Sequence, residues 1–138
     1  MNFELIDYSD MYFNRIRKVD IPQKRSGKFI HIFDEAEERE YVILSPRELS
    51  IYHANIVDRF CMLQKIKGSY NSKKDHFTIH EGDWVVAGGG MWVIDEDKKT
   101  LELSGTSKAY GAFRAEGLRG RIMKSSVFPG YSVIVNGS

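Results

Sequence analysis

Three features of its pattern predict an α+β fold for this chain. Before residue 45, short runs rich in β-branched and aromatic residues are separated by polar turns. After Ser45 the apolar positions switch to a spacing of three and four. Beyond Trp84 come two strand-like runs, a hairpin with its return strand, a second helical stretch and a closing strand. Strands, helix, hairpin, helix and strand in that order predict a mixed or antiparallel sheet with two helices packed on it.

Each element has its own argument. Met11 to Ile21 is rich in aromatic and β-branched residues and predicts a strand. Gln23 to Gly27 is a polar turn, Lys28 to Phe33 a second strand, Asp34 to Arg39 a charged turn, and Glu40 to Leu44 a third strand. Ser45-Pro46-Arg47-Glu48 predicts a helix start, with serine as cap, proline at the first helical position and glutamate completing a capping box. At about 100° per residue, Leu49, Tyr52, His53, Ile56, Phe60 and Leu63 then share a stripe facing the sheet. Lys67-Gly68 ends this helix, and Ser69 to Asp75 is a polar loop. Trp84 to Ala87 and Met91 to Ile94 flank Gly88-Gly89-Gly90, a bulge or a close backbone approach. Asp95 to Lys99 is a hairpin turn and Thr100 to Ser104 an alternating strand. Ala109 to Ser125 is the second helix, weakened by Gly111, Gly117 and Gly120. Phe128-Pro129-Gly130 turns the chain into a final strand, Tyr131 to Val135.

Composition narrows the function. The 138 residues suit one domain, spanning 1–138, with a single core. A net charge of +1 argues against nucleic-acid binding, which usually shows a strongly basic face. No apolar run approaches the length of a membrane span. The first residues lack the basic start and long apolar stretch of a signal peptide, so a cytoplasmic location is expected. The lone Cys61 excludes an intramolecular disulfide and predicts a core thiol.

Two segments carry chemistry. His53 brings an imidazole, which titrates near neutral pH and can accept a proton from water or attack phosphorus. The alternative is a core histidine bonded to a backbone carbonyl. Ser104 to Gly111 reads as a loop of small residues entering a helix. Its backbone N–H groups and the hydroxyls of Thr106 and Ser107 can hold an anion. There the alternative is an ordinary loop capped by Ser107. Lys28 can add positive charge, or be a solvated strand-end lysine. His31, His76 and His80 lack metal-ligand spacing with one another or with Cys61, so neither a metal nor another cofactor is expected. Asp83 and Asp95-Glu96-Asp97 read as turn residues.

Four motifs in register carry a resemblance. Tyr52-His53-Ala54-Asn55-Ile56, Gly88-Gly89-Gly90, Asp97-Lys98-Lys99 and Ser107-Lys108-Ala109-Tyr110-Gly111 resemble the Janus/Ocnus family in order and spacing, from about Lys28 to the C-terminus. The resemblance implies a single six-stranded sheet flanked by two helices. It also implies a metal-independent phosphatase acting on phosphohistidine, with some action on phospholysine-type bonds. His53 matches the family's catalytic histidine. Ser107 and Ala109 match its phosphate-holding loop, and Lys28 its strand lysine. Where the family's phosphatase has arginine after the glycine triplet, this chain has Met91. Lys108 stands beside the loop where that enzyme is uncharged, and Asn55 replaces an aspartate.

The expected function is therefore a monomeric hydrolase of P–N bonds, with a phosphohistidine protein or a small phosphoramidate as partner and His53 as its catalytic residue. Lys28, Thr106, Ser107, Lys108 and Ala109 would bind the phosphate. The alternative is a phosphate- or phosphoprotein-binding module of the same fold without turnover.

Overall fold

A computed structural model describes residues 1–137. Its centre is the long strand β2 (Lys24–Asp34), hydrogen-bonded on one side to β3 (Arg39–Pro46) and on the other to β6 (Trp84–Asp95). Five further strands are β1 (Asn2–Asp7), β7 (Thr100–Ser104), β8 (Ser132–Val135) and, apart from this sheet, β4 (Gly68–Tyr70) paired with β5 (Phe77–Ile79). The main sheet has six strands in the order β1-β3-β2-β6-β7-β8. It is antiparallel in the middle, while β1 lies parallel to β3 and β8 parallel to β7. The fold is α+β, as the pattern predicts.

The alternating side chains of these strands feed two cores. Helix α1 (His53–Gln64) buries Ala54, Ile56, Val57, Phe60 and Cys61 against Ile30, Ile32, Tyr41 and Ile43. Helix α2 (Leu118–Lys124) buries Leu118 and Ile122, with Phe113, against Phe29, Leu44, Trp92 and Leu103 on the other face. Each fully buried side chain of this size stabilises the fold by roughly 1.5–3 kcal/mol. Cys61 is the core thiol its solitude predicts, and burial pushes its pKa up to about 11.

Several boundaries differ from expectation, each for a local reason. The aromatic stretch after residue 10 is not a strand but a π-helical turn, Asp10–Ile16, in which consecutive Tyr12 and Phe13 are both buried. Alternation would have sent one of them to solvent. The first strand is instead Asn2–Asp7. Ser45 and Pro46 do not cap a helix. They remain in β3, opposite Lys28 and Gly27, and Pro46 closes only one turn by accepting the Leu49 and Ser50 N–H groups. Helix α1 begins at His53, where the Asn55 Oδ1 accepts the Tyr52 N–H at 2.9 Å. Leu49 and Tyr52 thus lie outside it, and Leu63 is exposed rather than on the buried stripe. The helix ends at Gln64, before a left-handed Lys65, rather than at Lys67-Gly68. Ser69 and Tyr70 belong to β4, not to a loop. The second helix is only Leu118–Lys124, because Gly111 and Gly117 adopt φ of +83° and +71° and interrupt any longer helix.

The glycine triplet does not separate two strands. It runs through the middle of β6, beside a bulge in which His31 pairs with Gly88 and Ile32 with Val86. A β-carbon on Gly89 would stand 2.5 Å from the Phe29 carbonyl oxygen and 2.9 Å from the His53 ring. Close approach is the reason for the triplet: the Ala112 backbone crowds Gly88, the Ser104 carbonyl and the Phe29 ring crowd Gly90, and the candidate catalytic histidine crowds Gly89.

Candidate functional site

The start of α1, the middle of β2 and β6, and the loop after β7 meet at a cavity of about 620 Å³. Lys28 and Met91 are directly paired across β2 and β6, so they point to the same side of the sheet as Ile30 and Ile32, beneath α1. The indole N–H of buried Trp92 donates to the carbonyls of Lys28 and Ser45, both at 3.0 Å, and pins this stretch of backbone. Lys28, His53, Thr106, Lys108 and Ala109 all line the cavity.

His53 is the first residue of α1 and only 7% exposed. Its Nε2 lies 2.9 Å from the Gly90 carbonyl oxygen. A carbonyl only accepts, so Nε2 carries the hydrogen, and in the neutral ring Nδ1 is the unprotonated nitrogen. Nδ1 has no hydrogen-bond partner among the described residues. Burial lowers the pKa of His53. The bond to Gly90 works against this, and the positive charge of Lys28 adds to the lowering. The ring is thus oriented by the backbone, held neutral, and left with one basic nitrogen to spare. The geometry of a core histidine bonded to a carbonyl and that of a poised base coincide in this one residue.

The loop after β7 is not a helix N-terminus; the next helix begins only at Leu118. It is a tight turn in which Ser107 and Gly111 exchange N–H···O=C bonds of 3.0 and 2.8 Å, with Gly89 also donating to the Gly111 carbonyl at 3.1 Å. Ser107 is buried and does not line the cavity. Its Oγ accepts the Tyr110 N–H at 3.1 Å, the turn-capping role weighed as the alternative. Of this turn, Thr106, Lys108 and Ala109 line the cavity. The N–H groups of Thr106, Lys108 and Ala109 have no acceptor among the described residues. Successive free amides of this kind, with lysine side chains beside them, can bind an anion without a helix dipole.

The cavity also takes in Tyr52, from the His53 motif, and Ile51, Asp75 and His76, which motif spacing alone did not mark. Asp75 and His76 arrive from the connection between β4 and β5. The available signal was that hairpin. Two short strands around a polar stretch are not stable alone and must pack on something. Among the described residues no three His, Cys, Asp or Glu side chains cluster as a metal site, and no helix is long and apolar enough to cross a membrane.

A model of the Janus/Ocnus family (Ocnus) matches residues 13–132, most of the chain and all of the cavity's lining. A search of curated proteins found no match.

Proposed function

The chain belongs to the Janus/Ocnus family, and from that premise we propose that it hydrolyses P–N bonds, as in phosphohistidine or other phosphoramidates. The observation that carries this reading is the tethered, neutral His53. Its Nε2–H is fixed on Gly90, and its Nδ1 is free in a cavity that also holds Lys28, Lys108 and three unpaired backbone N–H groups.

In this reading the phosphoryl oxygens lie against the amides of Thr106, Lys108 and Ala109, and the two lysines offset their charge. Preorganised donors of this kind stabilise a phosphoryl transition state without reorganising during the reaction. His53 takes a proton from the attacking water, or takes the phosphoryl group itself before water releases it. No metal is required, because a protonated nitrogen is a good leaving group. The same reading makes the partner a phosphorylated protein or small phosphoramidate and the setting cytoplasmic.

The test is phosphate release from a phosphohistidine peptide, with chelator present, by wild type and His53→Ala in parallel. Release by wild type alone is the expected result. Equal release by both would remove His53 from the reaction.

One observation favours a second reading. Met91, 41% exposed on the cavity wall, cannot make the bidentate phosphate contact of an arginine. A module that binds phosphate without turnover predicts phosphate-dependent chemical shifts at Lys108 and His53 with no release.

A further inference from the structure

The β4–β5 hairpin is bolted to both halves of the site. On α1, the Tyr70 hydroxyl donates to Asp58 Oδ2 at 2.8 Å and accepts from Asn55 Nδ2 at 3.2 Å. On the loop after β7, the Tyr110 hydroxyl accepts the Phe77 N–H at 2.8 Å and donates to the Phe77 carbonyl at 2.7 Å. Between these anchors His76 lies with its ring against that of Tyr110, centroids 4.6 Å apart. The Asn71 Oδ1 accepts the backbone N–H groups of Asp75 and His76 at 3.0 and 3.1 Å. So the loop positions His76 through its backbone and its ring face. Neither ring nitrogen has a hydrogen-bond partner among the described residues, although the residue lines the same cavity as His53.

We propose that His76 is a second catalytic residue, the acid that protonates the leaving group of the P–N bond. This deepens the hydrolase reading and rests on it. Cleavage of a phosphorylated imidazole needs one group to take a proton from water and another to give one to the departing ring. The other groups sharing the cavity do not fit the second role. Lys28 and Lys108 serve as fixed charges, Asp75 as a carboxylate has no proton to give, and the His53 Nε2–H is held by Gly90. Tyr52 also lines the cavity, but a phenol is a weaker acid than an imidazolium, and Tyr110 lies outside the lining with its hydroxyl proton held by the Phe77 carbonyl.

The step balances. A water proton passes to His53 Nδ1 as the water oxygen bonds to phosphorus. The P–N bond breaks with its electron pair left on nitrogen. The distal nitrogen of the departing imidazole takes the proton of the His76 imidazolium, so the products are neutral imidazole and hydrogen phosphate. His53 then returns its proton through solvent to His76.

Two substrates separate this role from a structural one. N-Phosphorylimidazole needs the proton. Its analogue with a methyl group on the distal nitrogen is permanently cationic and departs as neutral 1-methylimidazole with no proton added. His76→Gln is expected to lower kcat/KM on the first by about 10²–10⁴-fold and to leave the second at the wild-type rate. An equal fall on both substrates, or no fall on either, overturns the role given to His76 while leaving His53 hydrolysis in place. No release from either substrate by wild type overturns the P–N reading and this inference with it.

Discussion

Two buried histidines face opposite sides of one sheet, and the contrast between them separates support from chemistry. His31, fully buried on the α2 side, uses both ring nitrogens. Its Nε2–H donates to Glu40 Oε2 at 2.6 Å and its Nδ1 accepts the Arg114 N–H at 3.3 Å. Glu40 is gripped in turn by Arg121 of α2, Nε to Oε1 at 2.7 Å and Nη2 to Oε2 at 3.0 Å. His53, on the α1 side, uses one nitrogen and leaves the other to a cavity. A saturated histidine holds elements together. A half-saturated one, oriented but not exhausted, has capacity for a substrate.

The largest effect expected from breaking this contrast is on turnover. His53→Ala should remove it almost completely, by roughly 10³-fold or more, about 4 kcal/mol of barrier. The thermal midpoint should move by only a few degrees, because the ring gives up one hydrogen bond. Phosphate release and a melting curve on the same sample decide it. Unfolding in step with lost turnover would make His53 a support like His31.

The mirror experiment is Glu40→Ala. It strips a carboxylate that is 2% exposed from beneath His31 and Arg121, and the expected cost is about 3–5 kcal/mol of stability. Chemical denaturation reads the loss. Turnover per folded molecule should stay within a few-fold of wild type, since the network lies across the sheet from the cavity. Gly89→Ala links the two cases. Its new β-carbon would press on the Phe29 carbonyl and the His53 ring, so stability should fall by about 1–3 kcal/mol and turnover with it. A variant that keeps full activity would show that the ring need not sit where it does. A smaller effect comes from charge. Met91→Arg, at an exposed position on the cavity wall, should tighten phosphate binding by about tenfold, about 1.4 kcal/mol. Unchanged affinity by titration calorimetry would put that side chain outside the phosphate's reach.

The two sides of the sheet were not equally legible in the sequence. Core strands such as Lys28–Phe33 and Thr100–Ser104 announced themselves because alternation and turns agree there. So did the tendency of His53 to face inward, since its neighbours Ile56 and Phe60 set the buried stripe. The true helix start did not. Ser45-Pro46 has good capping chemistry, but pairing with β2 claims those residues first, and tertiary hydrogen bonds outweigh a local cap. The loop after β7 was marked as a helix start and is a turn, because two glycines at positive φ stop the helix that composition allows. His76 was weighed only as a metal ligand. Its place in the cavity depends on the hairpin folding back over α1, a contact between distant segments that no local spacing encodes. The His31–Glu40–Arg121 network has the same non-local origin.

The two histidine sites should also differ in how acid weakens the fold, an effect smaller than the substitutions above. Burial lowers the pKa of His53 from an ordinary value of 6.5. As pH falls below 6.5 the unfolded chain protonates this ring before the folded protein does, and stability declines until the folded value is reached. For Glu40, burial opposes the charge, but the bonds from His31 and Arg121 outweigh it and lower the pKa from 4.5. Its share of stability is intact above 4.5 and is lost only as pH drops from there toward the folded value. Both sites lose stability in acid, then, but in successive windows. Urea titrations between pH 7 and 3 should show His53→Gln flattening the slope just below 6.5, and Glu40→Gln flattening it below 4.5. An unchanged upper slope in His53→Gln would mean that the ring takes up its proton alike in the folded and unfolded chains, and that burial does not hold it neutral. The contrast with His31 would then rest on the unused Nδ1 alone.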